Sequence, residues 1–226
     1  MLELIIQGKI MMIPLLACSV LALAVIFDRA KAFAENRKVD TRALRSRVLG
    51  LLGEGNLDDA ALLCANTPGP VSAVLLAGLQ SYAKHKPVNE RPESLIAIMD
   101  KAMEDYTKHA ISAVEKRLAV LSTIGNAAPL LGMTGTVTGM IASFGELAAA
   151  GGLEAGGKVA QGISEALITT AAGLMIALVA VIPYNIFTSM ADKIDLEIEE
   201  ATSELLEFVA TRVETGTEAR LARTPA

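Results

Sequence analysis

The chain has 226 residues, of which 52% are hydrophobic and 20% are charged, and its mean hydropathy is +0.46. This hydropathy is too high for a soluble domain of that length, so the composition predicts a membrane protein. A net charge of −5 and the absence of Trp argue against nucleic acid as a partner. The Cys and His residues do not follow metal-ligand spacing, so we predict no metal, no other cofactor and no disulfide.

Three windows of the sequence contain almost no charge and predict three transmembrane helices. Residues 10–27 are uncharged and correspond to about 27 Å of helix, close to the hydrocarbon thickness of a bilayer. Residues 118–145 form a second uncharged window, and residues 159–191 form a third that contains one charge, Glu165. The first window could also be a secretory or lipoprotein signal peptide ending near Cys18. Because its apolar run continues well beyond Cys18, we predict an uncleaved span.

The positions of Lys and Arg predict how these spans are oriented. Of the 20 basic residues, one precedes the first span, 14 lie between the first and second, one lies between the second and third, and four follow the third. The basic residues that directly follow the first span, Arg29 and Lys31, indicate that this side is cytoplasmic. The predicted segments are a periplasmic N-terminus (1–9), a cytoplasmic helical domain (28–117), a periplasmic loop (146–158) and a cytoplasmic C-terminal helix and tail (192–226).

The predicted cytoplasmic segments have helical periodicity. Between the first two spans, apolar residues recur every three or four positions, with breaks at 53–56, 67–70 and 85–92 and with Asn56 as an N-cap. One helix is expected to run from Glu93 into the second span, and another to continue the third span to Val213, before a frayed end. The predicted fold is all-α: a polytopic membrane protein whose long helices extend into a cytoplasmic helical bundle.

The second and third spans carry small residues at three- and four-residue spacing. Such stripes let helices approach closely in lipid, where no hydrophobic effect drives association. We therefore predict that these two spans are interior helices and that the first span faces lipid. The glycines expected to serve helix packing are Gly132, Gly135, Gly139, Gly162 and Gly173.

Glu165 is an ionisable residue inside a predicted span. Such residues usually face a partner or a water-filled pathway, but a carboxylate near a helix start is also favoured by the helix dipole at the wet interface. Thr169 lies one turn later on the same face, and Thr170 lies about 100° further around the helix. Hydroxyl groups beside a carboxyl group could support proton or ion passage, although a threonine could equally bond a carbonyl of its own helix. The spacing leaves these alternatives open.

The segments PLLGMTGTVTGMIASF (129–144) and VAQGISEALITTAAGLMIALVAVIPYN (159–185) resemble the two signature segments of the ExbB/TolQ/MotA proton-channel family. Three spans fit the ExbB and TolQ branch better than MotA-type stators, which usually have four. The threonine of the family's GTV corresponds to Thr136, the pore glutamate of its EAL to Glu165, and the threonine five residues later to Thr170. Gln161 and Ser164 depart from the common VAPGIAEAL, which we expect to alter helix entry more than pore chemistry.

The resemblance implies a homopentamer in the bacterial inner membrane whose second and third helices line a central pore. A partner of the ExbD or TolR type would place a single transmembrane helix in that pore, with an Asp that carries the proton. The motion would act on a TonB- or TolA-like protein that spans the periplasm. In this interpretation Thr136, Glu165 and Thr170 line the proton pathway, and the chain is not an enzyme. The alternative hypothesis is a passive oligomeric membrane scaffold that docks cytoplasmic partners.

Overall fold

The computed structural model describes residues 9–85, 92–150 and 153–221, and these residues contain six helices and no strand. The predicted all-α class is therefore confirmed. Three of the helices, Lys9–Asn36, Pro92–Ala150 and Leu153–Leu221, include segments long and apolar enough to cross a membrane. The helices are α1 (Lys9–Asn36), α2 (Thr41–Glu54), α3 (Leu57–Asn66), α4 (Pro70–His85), α5 (Pro92–Ala150) and α6 (Leu153–Leu221).

The ends of the short helices follow from local backbone chemistry. Asp40 caps the start of α2, because its Oδ1 accepts two backbone N–H groups at 3.0 and 3.1 Å. Gly55 ends α2 in the left-handed conformation, with φ of 88°, which a residue without Cβ adopts without strain. Asn56 lies at the predicted N-cap position of α3, but its side chain makes no capping hydrogen bond.

The long helices extend further than the sequence pattern predicted. Helix α5 continues to Ala150 and α6 begins at Leu153, so the described part of the predicted loop 146–158 is helical. Alanine, leucine and glutamate at the two helix ends have high helix propensity, which favours this extension. Helix α6 also continues to Leu221, past the predicted onset of fraying. Residues 1–8 and most of the predicted break at 85–92 lie outside the described residues.

The chain divides into two compact units. We call Met1–Lys31 together with Lys116–Thr188 the span unit, and Ala32–Glu115 together with Ser189–Ala226 the insert unit. Helices α1, α5 and α6 each contribute residues to both units. The uncharged windows at 118–145 and most of 159–191 therefore belong to the span unit.

The insert unit has an apolar core to which helices α2 to α6 all contribute. Its members recur every three or four residues along each helix, as the periodicity predicted. Packing is tight at Gly78 of α4, where an added Cβ would lie 2.5 Å from Sδ of Met103. The most deeply buried core residues include Val48, Ala60, Val74, Leu75, Leu79, Met99, Met103, Ile198 and Leu205.

In the span unit, α1 has one buried and one exposed face. Leu15 is only 1% exposed and packs with Met12 against Ala128 and Ala177, which belong to the other two apolar helices. The opposite face carries large exposed apolar side chains such as Val20. The first span is thus attached to the other two along one side, and its remaining surface has the character of a lipid-facing helix.

Candidate pore-lining site

Helices α5 and α6 approach each other closely along small residues, which we call the glycine seam. A Cβ added at Gly173 would lie 2.5 Å from the carbonyl oxygen of Ala128 and 3.1 Å from Cα of Gly132. Real Cβ atoms do not approach backbone atoms so closely, so these positions accept only glycine at this separation. The seam comprises Gly132, Gly135, Gly139, Gly162 and Gly173, at each of which an added Cβ would lie within 3.0 Å of the other helix.

The seam allows one hydrogen bond to cross between the two helices. Oγ1 of Thr170 donates to the carbonyl oxygen of Gly132 at 2.8 Å. That carbonyl is accessible to Thr170 because Gly132 has no side chain to hold the helices apart, and an added Cβ there would lie 3.0 Å from Cα of Thr170. Thr170 is half-buried in this contact. A residue of the predicted proton pathway is therefore also a link between the two helices.

Thr136 and Thr169, unlike Thr170, donate to carbonyls of their own helices. Oγ1 of Thr136 donates to the carbonyl of Met133 at 2.7 Å, and Oγ1 of Thr169 donates to the carbonyl of Glu165 at 3.1 Å. A hydroxyl group has one hydrogen to donate and two acceptor lone pairs. Because these hydrogens are directed to backbone carbonyls, the oxygens of Thr136 and Thr170 are left with acceptor capacity for an incoming group.

Glu165 is half-buried and interacts with Gln161, which lies one turn earlier on α6. Nε2 of Gln161 donates to Oε1 of Glu165 at 3.1 Å. That Gln161 alters helix entry more than pore chemistry stays a prediction, and the structure adds that its amide contacts the carboxyl group itself. The i, i+4 spacing of the two residues on one helix was the signal that could have predicted the contact.

The three predicted pathway residues are not all directed to one side of a single chain. Glu165 and Thr170 are five positions apart on α6, which corresponds to about 140° around the helix axis. Thr136 lies one turn after Gly132 on α5, beside the seam. A pathway that uses all three therefore requires a space bounded by more than one side of this helix pair.

The outward faces of α5 and α6 in the span unit are strongly apolar. Leu167, Met175 and Ile141 are exposed over 61%, 63% and 68% of their surfaces. Exposed apolar area of this kind is stable only against lipid or other protein helices. The faces of the helix pair are consequently suited to a bilayer and to contacts with further chains.

The remaining reactive groups do not form a second chemical site among the described residues. No group of three or more His, Cys, Asp or Glu side chains in that part of the chain is placed to hold a metal ion. Cys64 is 2% exposed in the core of the insert unit, and burial raises the pKa of its thiol to about 11. Its thiol is therefore protonated and unreactive at neutral pH.

The described residues form three apolar helices, and two of these carry hydroxyl and carboxyl groups within their apolar segments, a combination typical of polytopic membrane proteins of the channel and transporter class. Residues 66–200 match the family model described as the MotA/TolQ/ExbB proton channel family, and this match includes the whole glycine seam and all three pathway residues. The chain belongs to the MotA/TolQ/ExbB proton channel family.

The alignments with three curated relatives extend over most of the chain. It is similar to the Tol-Pal system protein TolQ of Haemophilus influenzae, with 30% identity across 78% of this chain and 77% of that protein. A putative biopolymer transport protein, ExbB-like 1 of Synechocystis, is 32% identical across 81% of this chain and 69% of its own length. The biopolymer transport protein ExbB of Salmonella typhimurium is 28% identical across 88% of this chain and 80% of its own. The relatives' names describe a Tol-Pal system protein and biopolymer transport proteins, not enzymes.

Proposed function

We propose that the chain is the channel subunit of an inner-membrane motor that converts proton motive force into mechanical work. The observation that carries this proposal is the placement of Thr136, Glu165 and Thr170 beside or within the glycine seam of two apolar helices. Polar groups are costly inside a membrane and are retained there mainly where protons, ions or partner groups pass. The proposed orientation has the N-terminus in the periplasm and the C-terminus in the cytoplasm, as the Lys and Arg distribution predicts.

The proposed assembly is a homopentamer with a central pore, containing the helix of an ExbD- or TolR-like partner. Support comes from the exposed apolar faces of α5 and α6 and from the angle of about 140° between Glu165 and Thr170. Several helix pairs around one space would let both residues border it, although they lie on different sides of one helix. The relatives named TolQ and ExbB support an energising role toward a TolA-like or a TonB-like protein.

The hydroxyl geometry suggests how a proton on the partner controls movement. A protonated aspartic acid can donate to the acceptor oxygens of Thr136 and Thr170, whereas an ionised aspartate can only accept hydrogen bonds. The neutral form therefore passes these threonines with its hydrogen bond satisfied, and the charged form does not. Each proton that crosses the membrane releases about 2.3 kcal/mol per 100 mV, which drives repetition of the step.

Glu165 completes the proposed pathway as a polar or proton-relay group. Its Oε1 accepts a hydrogen bond from the Gln161 amide, which orients the side chain along the helix face. Removing the amide would remove one hydrogen bond to the carboxyl group, while removing the carboxyl group would take away the one Asp, Glu, Lys or Arg side chain in this chain's three apolar windows. The two positions are therefore expected to differ in severity, with substitution of Glu165 the more damaging.

The proposal can be tested with single substitutions in cells that contain the partner proteins. We expect Thr136→Val, Thr170→Val and Glu165→Ala to abolish proton-motive-force-dependent transport or envelope integrity while the partner still co-purifies. Thr123→Val is the matched control, because its Oγ1 also donates to a carbonyl of its own helix, that of Ala119 at 2.8 Å, but it lies outside the proposed pathway. Retained activity in all three pathway variants, together with insensitivity to a protonophore, would instead support the passive scaffold.

A further inference from the structure

One carboxylate in the span unit is shared by two arginines from different helices. Oδ2 of Asp28, near the end of the first apolar window, accepts hydrogen bonds from Nε of Arg29 at 3.0 Å and from its Nη2 at 2.8 Å. The same oxygen accepts a hydrogen bond from Nη1 of Arg117 at 2.7 Å. Arg117 directly precedes the second apolar window, so the three residues connect α1 and α5 where both windows meet their charged flanks.

This cluster carries more positive charge than its own carboxylate can balance. Two guanidinium groups share one negative charge, and Lys31 and Lys116, both exposed, flank them. A guanidinium has five N–H donors, so most of the ten donors of Arg29 and Arg117 are not used by Asp28. The side chains of Arg117 and Asp28 are 58% and 50% exposed, whereas that of Arg29 is only 11% exposed, so a ligand would reach the cluster mainly through Arg117.

An apolar stripe leads from the cluster along the exposed face of α1. Ile13, Val20 and Leu21 are 68%, 66% and 54% exposed, and with Ala17 and Ala24 they recur every three or four positions on the side that carries Asp28. Measured from Asp28, the part of the stripe formed by Ala24, Leu21, Val20 and Ala17 extends about 16 Å along the helix. One leaflet of a bilayer has a hydrocarbon thickness of about 15 Å.

We propose that the Asp28–Arg29–Arg117 cluster binds the phosphate group of an anionic phospholipid whose acyl chain lies along the apolar stripe of α1. Arginine forks suit phosphate oxygens, and the stripe has the length and character of one acyl chain. The proposal rests on the membrane placement given under the proposed function, with this end of the spans at the cytoplasmic leaflet. That leaflet is the one rich in anionic lipid.

Asp28 has a specific part in this proposal. Its carboxylate holds the two guanidinium groups at one point, but its negative charge also opposes a second anion there. Neutralising Asp28 is therefore expected to strengthen lipid binding, whereas neutralising Arg117 is expected to weaken it. If the cluster served only to connect α1 and α5, both substitutions would remove the same link and would act in the same direction.

The experiment uses the full chain, purified in neutral detergent, with phosphatidylglycerol or phosphatidylcholine added. Bound lipid is counted by native mass spectrometry for wild type, Asp28→Asn and Arg117→Gln. A change of one charge at the membrane surface corresponds to about fivefold in affinity. We expect phosphatidylglycerol binding to fall about fivefold in Arg117→Gln and to rise about fivefold in Asp28→Asn, with phosphatidylcholine unaffected.

Arg45→Gln supplies a control with the same charge change in the insert unit, where Arg45 pairs with Glu200 at 3.0 Å. It should bind lipid as wild type does. Equal responses of Asp28→Asn and Arg117→Gln, or no response in either, would overturn the proposal. Displacement of the lipid by an equimolar amount of inorganic phosphate would overturn it in favour of a free-anion site. The assay needs neither a partner nor a proton gradient, so its failure would not bear on the proton pathway.

Discussion

Replacing Gly173 by alanine should separate helices α5 and α6. The added Cβ would lie 2.5 Å from the carbonyl oxygen of Ala128, whereas ordinary van der Waals contact begins near 3.4 Å. The helices must therefore move apart by about 0.9 Å, because the opposing atoms belong to backbone and cannot rotate away. Overpacking of this kind costs about 1–3 kcal/mol, and the higher helix propensity of alanine returns about 0.5–1 kcal/mol. A net destabilisation of about 0–2.5 kcal/mol follows, with a midpoint of about 1 kcal/mol.

The same displacement should affect the proton pathway. The hydrogen bond from Thr170 to the carbonyl of Gly132 measures 2.8 Å, and a movement of that size would take it beyond hydrogen-bonding distance. We expect Gly173→Ala to lose the hydrogen bond from Thr170 to Gly132, which Thr170→Val also removes. This loss adds to the cost of overpacking. The free energy of unfolding can be measured by SDS titration followed by far-ultraviolet circular dichroism.

Gly145→Ala is the matched control, because Gly145 also lies in α5 and an added Cβ there would have no atom within 4 Å. This variant should be about 0.5–1 kcal/mol more stable than wild type. A second check is Gly132→Ala combined with Gly173→Ala. The two sites are in contact, so once one substitution has separated the helices, the other should cost less. If Gly173→Ala were as stable as Gly145→Ala, the close approach of the helices would be refuted.

Two further predictions concern the insert unit. Burial raises the pKa of the Cys64 thiol from its ordinary value of 9.0 to about 11, so the unfolded chain loses this proton first as pH rises. The stabilisation of the folded state by the protonated thiol is complete below pH 9 and is lost between pH 9 and 11. The melting temperature of wild type should therefore fall more steeply over that range than the melting temperature of Cys64→Ala. Parallel curves of melting temperature against pH would contradict this. Arg212 donates from Nη1 to the carbonyl of Leu52 at 2.7 Å and also to the carbonyl of Gly53, in the last turn of α2. Arg212→Gln should cost about 1 kcal/mol of unfolding free energy, with Arg212→Lys intermediate; equal stability of all three chains in a thermal melt would exclude this capping role.

The features that the sequence predicted well depend on neighbouring residues. Charge-free windows long enough to span a bilayer identified the apolar helices, because burying a charge in lipid is costly wherever the chain folds. The period of apolar residues predicted the continuous helix from Glu93 into the second window. The helix breaks near Gly55 and Pro68 follow from backbone conformations that their own side chains allow or forbid. The two signature segments indicated the family, because the order of residue types within them is enough to recognise it.

The contacts that give these residues their roles depend on the tertiary structure. Thr170 could have bonded its own helix, and only the close approach of α5 at Gly132, 38 positions away, gives it a different acceptor. Asp28 and Arg117 are separated by 89 positions, and no local pattern indicates that they share a hydrogen bond. Periodicity identifies which face of a helix is apolar, but it does not specify which atoms of another helix that face meets. Those partners depend on how closely and at what register the helices pack.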